Sequence, residues 1–354
     1  LTVDANGEAG WEAAAGGGGS VSSDAQQNTI AGTQAGDSFS GTDALNNTLF
    51  GYKAGTAITT GDSNTCFGQQ AGAAITTNGY TTCIGAGAGE ENTSHHTVAI
   101  GNSALTNNTS GTECVAVGSE ALKMNTTALG GTAVGYQAAR NSTVLRQTAV
   151  GAYALKDATT GPYNTAVGFK AGTAITTGQF NTALGQYALG ANTVSGYNVA
   201  LGQQALASVT GAVSDGMNIG IGSKAGDNIT SGHNNIVIGH EADASAADVD
   251  DEITLGNSDT AKFRIPGINF TVKDTTATED YVLTVDANGE AGWEAAGGGG
   301  ATGAGGDSIF WENGQTVTTN YTITNNTNAG TFGPVTINSG VTVTVGAGET
   351  WTVI

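Results

Sequence analysis

Four histidines, three cysteines and one crowded run of acids are the residues whose types could do chemistry here. His95 and His96 stand together shortly after Glu90 and Glu91, a donor set that could begin a metal site. A zinc-like centre needs about four ligands at reachable spacing, and His233 and His240 lie far along the chain, so the set is too sparse to assign. Asp243, Asp248, Asp250, Asp251 and Glu252 could attract calcium, but they lack the alternating ligand positions of a calcium loop. A solvated cap on the end of a repeat array explains them better. Cys66 and Cys83 replace alanine in adjacent repeats and read as small buried fillers; Cys114 sits in a column otherwise rich in asparagine. No Gly-x-Ser-x-Gly elbow occurs, and no glycine loop runs into a phosphate-binding lysine. Glycosidase carboxylates would need a cleft, for which short, even repeats leave little room. No catalytic, cofactor-binding or metal-ligating residue is therefore assigned, and the chain is read as a non-enzyme.

Aromatic residues offer a different chemistry. Tyr163, Phe180, Tyr197 and Met217 fall one position before an asparagine in four successive repeats. Such a column could stack on sugar rings, although packing along the repeat is the simpler reading. Tyr52, Tyr136, Phe169 and Tyr187 are the candidate binding residues, read as exposed positions at the corners of the repeat.

What positions these side chains is a phrase near Asn-Thr-Ala-Val-Gly-x-x-Ala, clearest at Asn164–Ala171 and Asn181–Ala188. Its glycines run from Gly32 through Gly51, Gly68 and so on to Gly256, at spacings of 16 to 20 residues, most of them 17. A fixed period of this size marks stacked repeats. From Phe50 to Leu255 the residue before the glycine is bulky and apolar, three before it stands Thr or a β-branched apolar residue, and from Cys66 to Gly220 the residue two before it is small, as in Thr165-Ala166-Val167. That alternation predicts a strand with two faces, one filling the interior and one meeting a partner chain. A second Thr-rich piece, such as Ile58-Thr59-Thr60-Gly61, predicts a second short strand and a turn. Each repeat is then one coil of a parallel β-solenoid, and coils about 4.8 Å apart give a rod of about 60 Å. The asparagines Asn28, Asn47, Asn64, Asn164, Asn181, Asn198, Asn218 and Asn235 share one column, where amides can bond coil to coil.

Composition fits this reading. Glycine is 57 of 354 residues, aromatics are 6% and charged residues 11%, which leaves small side chains and backbone bonds to hold the fold. A net charge of −20 repels a phosphate backbone and an anionic lipid surface, arguing against nucleic acid and membrane partners. No apolar run reaches transmembrane length.

The organisation reads as a connector hairpin with a glycine-rich joint (1–27), the solenoid (28–257), a neck (258–282), a second connector and joint (283–306) and a C-terminal β module (307–354). The fourteen residues Leu1–Ala14 return unchanged at Leu283–Ala296, each copy followed by a glycine run. In the terminal module, Gln315–Thr318, Tyr321–Ile323, Val341–Val345 and Trp351–Val353 are the expected strands, with turns at Asn338–Gly340 and Gly346–Gly348.

The Asn-Thr-Ala-Val-Gly-x-x-Ala phrases resemble the head repeats of trimeric autotransporter adhesins, which implies an intertwined homotrimeric β-roll. Ile253–Ser258 after such repeats, the Leu-Thr-Val-Asp-Ala-Asn-Gly-Glu-Ala-Gly-Trp connector, Phe310-Trp311-Glu312-Asn313 and the segment Ala329–Gly340 look like fibre proteins of tailed phages infecting cyanobacteria. That resemblance implies a virion fibre, partnered with itself and with other virion proteins, for attachment to a host-surface glycan or protein. The alternatives are a bacterial cell-surface trimeric adhesin, anchored elsewhere in its gene, and a polysaccharide-degrading tailspike. An ice-binding solenoid would show one flat threonine face, whereas these threonines are spread over several columns.

Overall fold

The computed structural model describes residues 2–3, 9–10, 21–262 apart from 41, 145 and 212–215, and then 281–285, 291–295, 316–323, 328–331 and 333–354. The neck residues from Phe263 to Val272 and the Phe310–Asn313 segment lie outside them. The chain divides into two units, Leu1–Phe263 and Arg264–Ile354. β1 (Thr2–Val3) pairs antiparallel with β2 (Ala9–Gly10), and β18 (Tyr281–Val285) with β19 (Ala291–Ala295), so each copy of the connector is a hairpin.

The first unit is a parallel β-solenoid. β3 (Ser22–Ser23) lies antiparallel on β4 (Thr29–Ala31). From β4 to β17 (Ile253–Leu255), fourteen three-residue strands form one parallel sheet, each beside its neighbours in sequence. The register is column on column: Thr148, Ala149 and Val150 oppose Thr165, Ala166 and Val167. Each coil contains one strand, not two. The Thr-rich piece expected as a second strand is a corner reached by tandem turns: Ala171 N–H donates to Gly168 O at 3.3 Å and Ile175 N–H to Gly172 O at 3.1 Å. Its threonines bond between coils, as when Thr159 Oγ1 donates to Thr176 O at 3.1 Å, without forming a sheet.

The middle strand residue points inward, and the core of each coil is completed by the residues four and seven after the glycine. Those two positions share one volume. In four coils the first is glycine and the second isoleucine (Gly55 with Ile58, Gly72 with Ile75, Gly172 with Ile175, Gly226 with Ile229), while Gly36 is matched with Phe39 and Gly89 with Asn92. Where the first is leucine the second is smaller: Leu105 with Asn108, Leu155 with Ala158, Leu206 with Val209. A Cβ on Gly55 or Gly72 would stand 2.7 Å from the Cδ1 of its isoleucine, so the isoleucine fills the space that leucine takes elsewhere. Interiors this dense admit one large side chain per coil in that corner, not two.

The repeat glycine is required by close approach and by backbone conformation together. At Gly168, φ is +138° and a Cβ would lie 2.7 Å from the carbonyl carbon and oxygen of Gly185 in the next coil. Any other residue would have to push the coils apart.

The asparagine column forms as the sequence predicts. The Oδ1 of Asn164 accepts the Asn181 N–H at 2.9 Å, and the Oδ1 of Asn181 accepts the Asn198 N–H at 3.0 Å. Most of the Nδ2 groups turn to a carbonyl at the coil's own corner, as from Asn181 to Ser195 O at 3.0 Å, whereas Asn198 Nδ2 donates to Ser195 Oγ at 3.0 Å. In the middle of the solenoid this column carries Thr81, Thr97, Cys114, Gly131 and Gln147 instead, and in three of these coils asparagine appears seven after the glycine. Asn92 Nδ2 donates to Thr97 Oγ1 at 2.9 Å, Asn108 Nδ2 to Gly111 O at 2.8 Å, and Asn125 Nδ2 to Cys114 Sγ at 3.5 Å. The interior amide changes columns and the buried corner carbonyls keep their donors. Acidic residues stand at both ends of the ladder, one accepting through its carboxylate and the other donating through its backbone. Asp24 accepts the Asn28 N–H and Nδ2, each at 2.9 Å, and the Glu252 N–H donates to Asn235 Oδ1 at 2.9 Å.

In the second unit, β20 (Thr316–Val317), β21 (Tyr321–Thr322) and β22 (Asn328–Thr331) are followed by β23 (Thr336–Ile337), β24 (Val343–Thr344) and β25 (Thr350–Val353). They pair parallel as β20 with β23, β21 with β24 and β22 with β25. These are two turns of a second, wider coil. Both expected turns are present: Val341 N–H donates to Asn338 O at 3.0 Å and Glu349 N–H to Gly346 O at 3.2 Å.

Replacing Asn181 by alanine strands the buried Asn198 N–H and removes a donor from the Ser195 carbonyl. The expected loss is about 2–4 kcal/mol, because a buried unpaired group costs about 1–3 kcal/mol and a small cavity adds to it. Urea denaturation of Asn181→Ala measures it; a loss under about 0.5 kcal/mol would mean that the ladder contributes little.

Candidate functional site

The solenoid leaves three features on its surface. One is the outer face of the sheet. From Thr48–Phe50 to Ile253–Leu255 the two outward positions of every strand are Thr, Val, Ile, Leu or Phe, with no charged residue among them. Phe50 and Phe67 are about half exposed, and Ile253 is 66% exposed. A parallel sheet ordinarily has both faces covered. This one presents an uncharged surface with a continuous apolar column, from Phe50 to Leu255, on a chain of net charge −20.

Aromatic ladders are the second feature, and column position decides their geometry. Rings in the same column stack in parallel. Phe50 and Phe67 lie 4.8 Å apart at 7°, and Tyr163, Phe180 and Tyr197 follow at 5.0 Å steps with interplanar angles of 7° and 19°. The latter three hold left-handed backbone angles of 61°, 57° and 59°, a corner conformation that costs non-glycine residues of order 1 kcal/mol each and is offset by the stacking. Since their faces are turned to one another, this column offers a sugar little more than ring edges.

Tyr136, Phe169 and Tyr187, three of the four candidate binding residues, come together in a separate ladder; Tyr52 does not join it. The fourth member is Tyr153, which the sequence reading missed. Tyr136 and Phe169 are one residue after their glycines, whereas Tyr153 and Tyr187 are two after theirs. The rings therefore meet edge to face, at 5.2, 6.0 and 5.6 Å with angles of 89°, 83° and 86°. Lys170 lies between Tyr153 and Tyr187 in the same column, its Nζ 5.9, 5.4 and 5.5 Å from the centroids of Tyr153, Phe169 and Tyr187. The column two after the glycine was the available signal: it also stacks Glu120 beneath Gln137 and Lys224 beneath Glu241. Lys53 Nζ stands 5.4 Å from the ring centroid of Tyr52.

Gln137 joins this ladder to a polar cluster. Its Nε2 donates to Tyr136 Oη at 3.2 Å and to Glu120 Oε2 at 2.7 Å. Glu120 also receives Lys123 Nζ at 3.0 Å and Arg140 Nε at 2.8 Å. Lys123 first, then Arg140, holds its carboxyl down at about 2.

At the C-terminal end of the solenoid lies the third feature, a cavity of about 710 Å³ lined by Lys224, Asp227, Glu241, Asp243 and Asp259 among others. Lys224 Nζ pairs with Glu241 at 3.0 Å, while burial and the neighbouring Asp243 push the Asp227 carboxyl up. The acids beyond it serve as end bonds. Asp250 accepts the His233 N–H at 2.9 Å, Asp251 accepts Asn234 Nδ2 at 2.6 Å, and Glu252 accepts the Ser245 N–H at 2.9 Å and the Ser245 and Thr254 hydroxyls. Among the described residues no group of three or more His, Cys, Asp or Glu is arranged to hold a metal. His95 Nδ1 accepts the Gly79 N–H at 3.3 Å and His96 stacks on Tyr80 at 5.3 Å, so both serve the corner. Cys66 and Cys83 are adjacent, buried and unbridged. The threonines do fall into continuous columns, including one at the corner through Thr59, Thr76, Thr93, Thr109 and Thr126.

Glu120 gives a pH signature. Its folded carboxyl lies below the ordinary 4.5, so its contribution is complete above that value and is lost as pH falls toward about 2. Glu120→Gln is expected to flatten the fall of melting temperature over that acid range and to leave the neutral-pH slope alone. Parallel curves for the two proteins would remove Glu120 from the account.

Function has to be argued from this geometry, because no protein-family model, curated protein or solved structure matches the chain.

Proposed function

We propose that this chain is a protomer of a homotrimeric virion fibre, a structural and adhesive rod that presents a repetitive surface for host attachment. The observation that carries the proposal is the uncharged outer face of the sheet. An apolar face of this length in water favours association at about 25 cal/mol per Å² of apolar surface buried. A partner that covers it end to end must repeat at the coil spacing, and a second copy of the chain does so by construction. The number three follows the resemblance to trimeric adhesin heads. Low charge, hydrogen-bonded coil ends and a core of in-register ladders suit a rod whose task is mechanical. The ladder from Tyr136 to Tyr187 is the surface proposed for contact with a host glycan or protein.

Native mass spectrometry or sedimentation of the full chain is expected to give three times the chain mass. Val150→Asp and Leu184→Asp, on the outer face, should release single chains, because each chain would bury a charge at the contact. Thr176→Asp, at the corner, should leave the mass unchanged. A wild-type protein that stays monomeric at micromolar concentration would refute the assembly. An antibody against the chain should label fibres on virions; labelling confined to a bacterial envelope would favour the cell-surface adhesin instead.

A further inference from the structure

The geometry points to a binding site for a neutral sugar in the C-terminal unit. A cavity of about 420 Å³ opens between the two turns of the wider coil, lined by residues that include Thr318, Thr319, Tyr321, Gly330, Thr331 and Trp351. Its volume falls in the range of about 300–1,000 Å³ common to small-ligand sites. None of the lining residues is charged, so an ionic ligand would find no counter-ion there.

The chemistry of the lining narrows the ligand further. Trp351 Nε1 donates to Thr331 Oγ1 at 3.1 Å, which fixes the indole with its own polar group satisfied. Tyr321 is 57% exposed, and Ile323 is fully buried. Hydroxyls of Thr316, Thr318 and Thr319 can each both donate and accept, and they bond no described residue. A purely apolar ligand would desolvate these hydroxyls without giving them a partner, which disfavours it. The surface calls for a molecule with an apolar face and several uncharged hydroxyls, which is the description of a neutral hexose ring. Small residues keep the space open: a Cβ on Gly330 would meet nothing closer than the Thr352 carbonyl oxygen at 3.9 Å.

This deepens the attachment reading by naming a ligand class, and it rests on that reading only for its biological use. The test titrates the full chain with the methyl glycosides of glucose, galactose and mannose and with N-acetylglucosamine, using glucuronate as the charged comparison. Binding is followed by the indole N–H signal of Trp351, assigned with Trp351→Phe. At least one neutral sugar is expected to shift that signal saturably, and glucuronate is not. Gly330→Leu should fill the cavity and weaken binding roughly tenfold or more, equivalent to about 1.4 kcal/mol, with melting temperature unchanged. Thr319→Val is the second variant and should weaken it with the fold intact. Absence of saturable binding by every neutral sugar, as expected if another chain fills the cavity, would overturn the site. So would binding that neither variant alters. The particle mass, measured on the same samples, reports on the fibre proposal separately.

Discussion

Backbone laid directly on backbone is the constraint on which the solenoid depends. Gly168 N–H donates to Val150 O at 2.7 Å and Gly185 N–H to Val167 O at 2.8 Å, so successive coils touch at the glycine column with no side chain between them. Every other position then meets its own counterpart in the next coil at the spacing of paired strands, about 4.8 Å. Residues are admitted to a column by how they tolerate a copy of themselves. Amides pair with amides, rings lie on rings, and threonine hydroxyls reach the next carbonyl. Charge is tolerated where the next coil offers a complement, as Glu241 does for Lys224 and two tyrosines do for Lys170. This self-matching accounts for a chain with only 11% charged residues.

Within a coil the constraint is different: one volume must be filled by whichever column supplies the atoms. The exchange of leucine for isoleucine across the positions four and seven after the glycine is one case. The transfer of asparagine between columns around Asn92, Asn108 and Asn125 is the polar case. The coils are therefore equivalent in shape and in hydrogen bonding without being equivalent in sequence, and a repeat can drift while its interior stays packed and paired.

Much of this was legible beforehand. The glycine period, the inward small column, the bulky outward column and the Asn28-to-Asn235 ladder are one-dimensional patterns, and the sheet reproduces them in register. The second strand was misread because Ile58-Thr59-Thr60 has β-branched composition, yet its isoleucine is a core residue and its threonines turn a corner. Reciprocal filling by Gly55 and Ile58 was present in the sequence, but it acquires meaning only when the two columns are known to face the same space. Tyr153 escaped notice although it shares its column with Tyr187, and the one-position offset of that column from Tyr136 and Phe169 is what sets the ladder edge to face. The parallel pairing of β20 with β23 and of β22 with β25 joins segments about 20 residues apart through strands too short to carry a periodic signal.

The outer face is uniform in polarity but graded in size. Along the column before the glycine the side chains run Phe50, Phe67, Ile84 and Ile100, narrow to Val117, Val134, Val150 and Val167, and widen again through Leu184, Leu201, Ile221, Ile238 and Leu255. Two such columns laid together have one alignment in which waist meets waist. Displacement by several coils brings the bulky ends opposite the waist. Because the phenylalanines stand at one end only, the profile also has a direction. A chain laid along this column, as the proposed fibre requires, would meet a profile whose two ends differ.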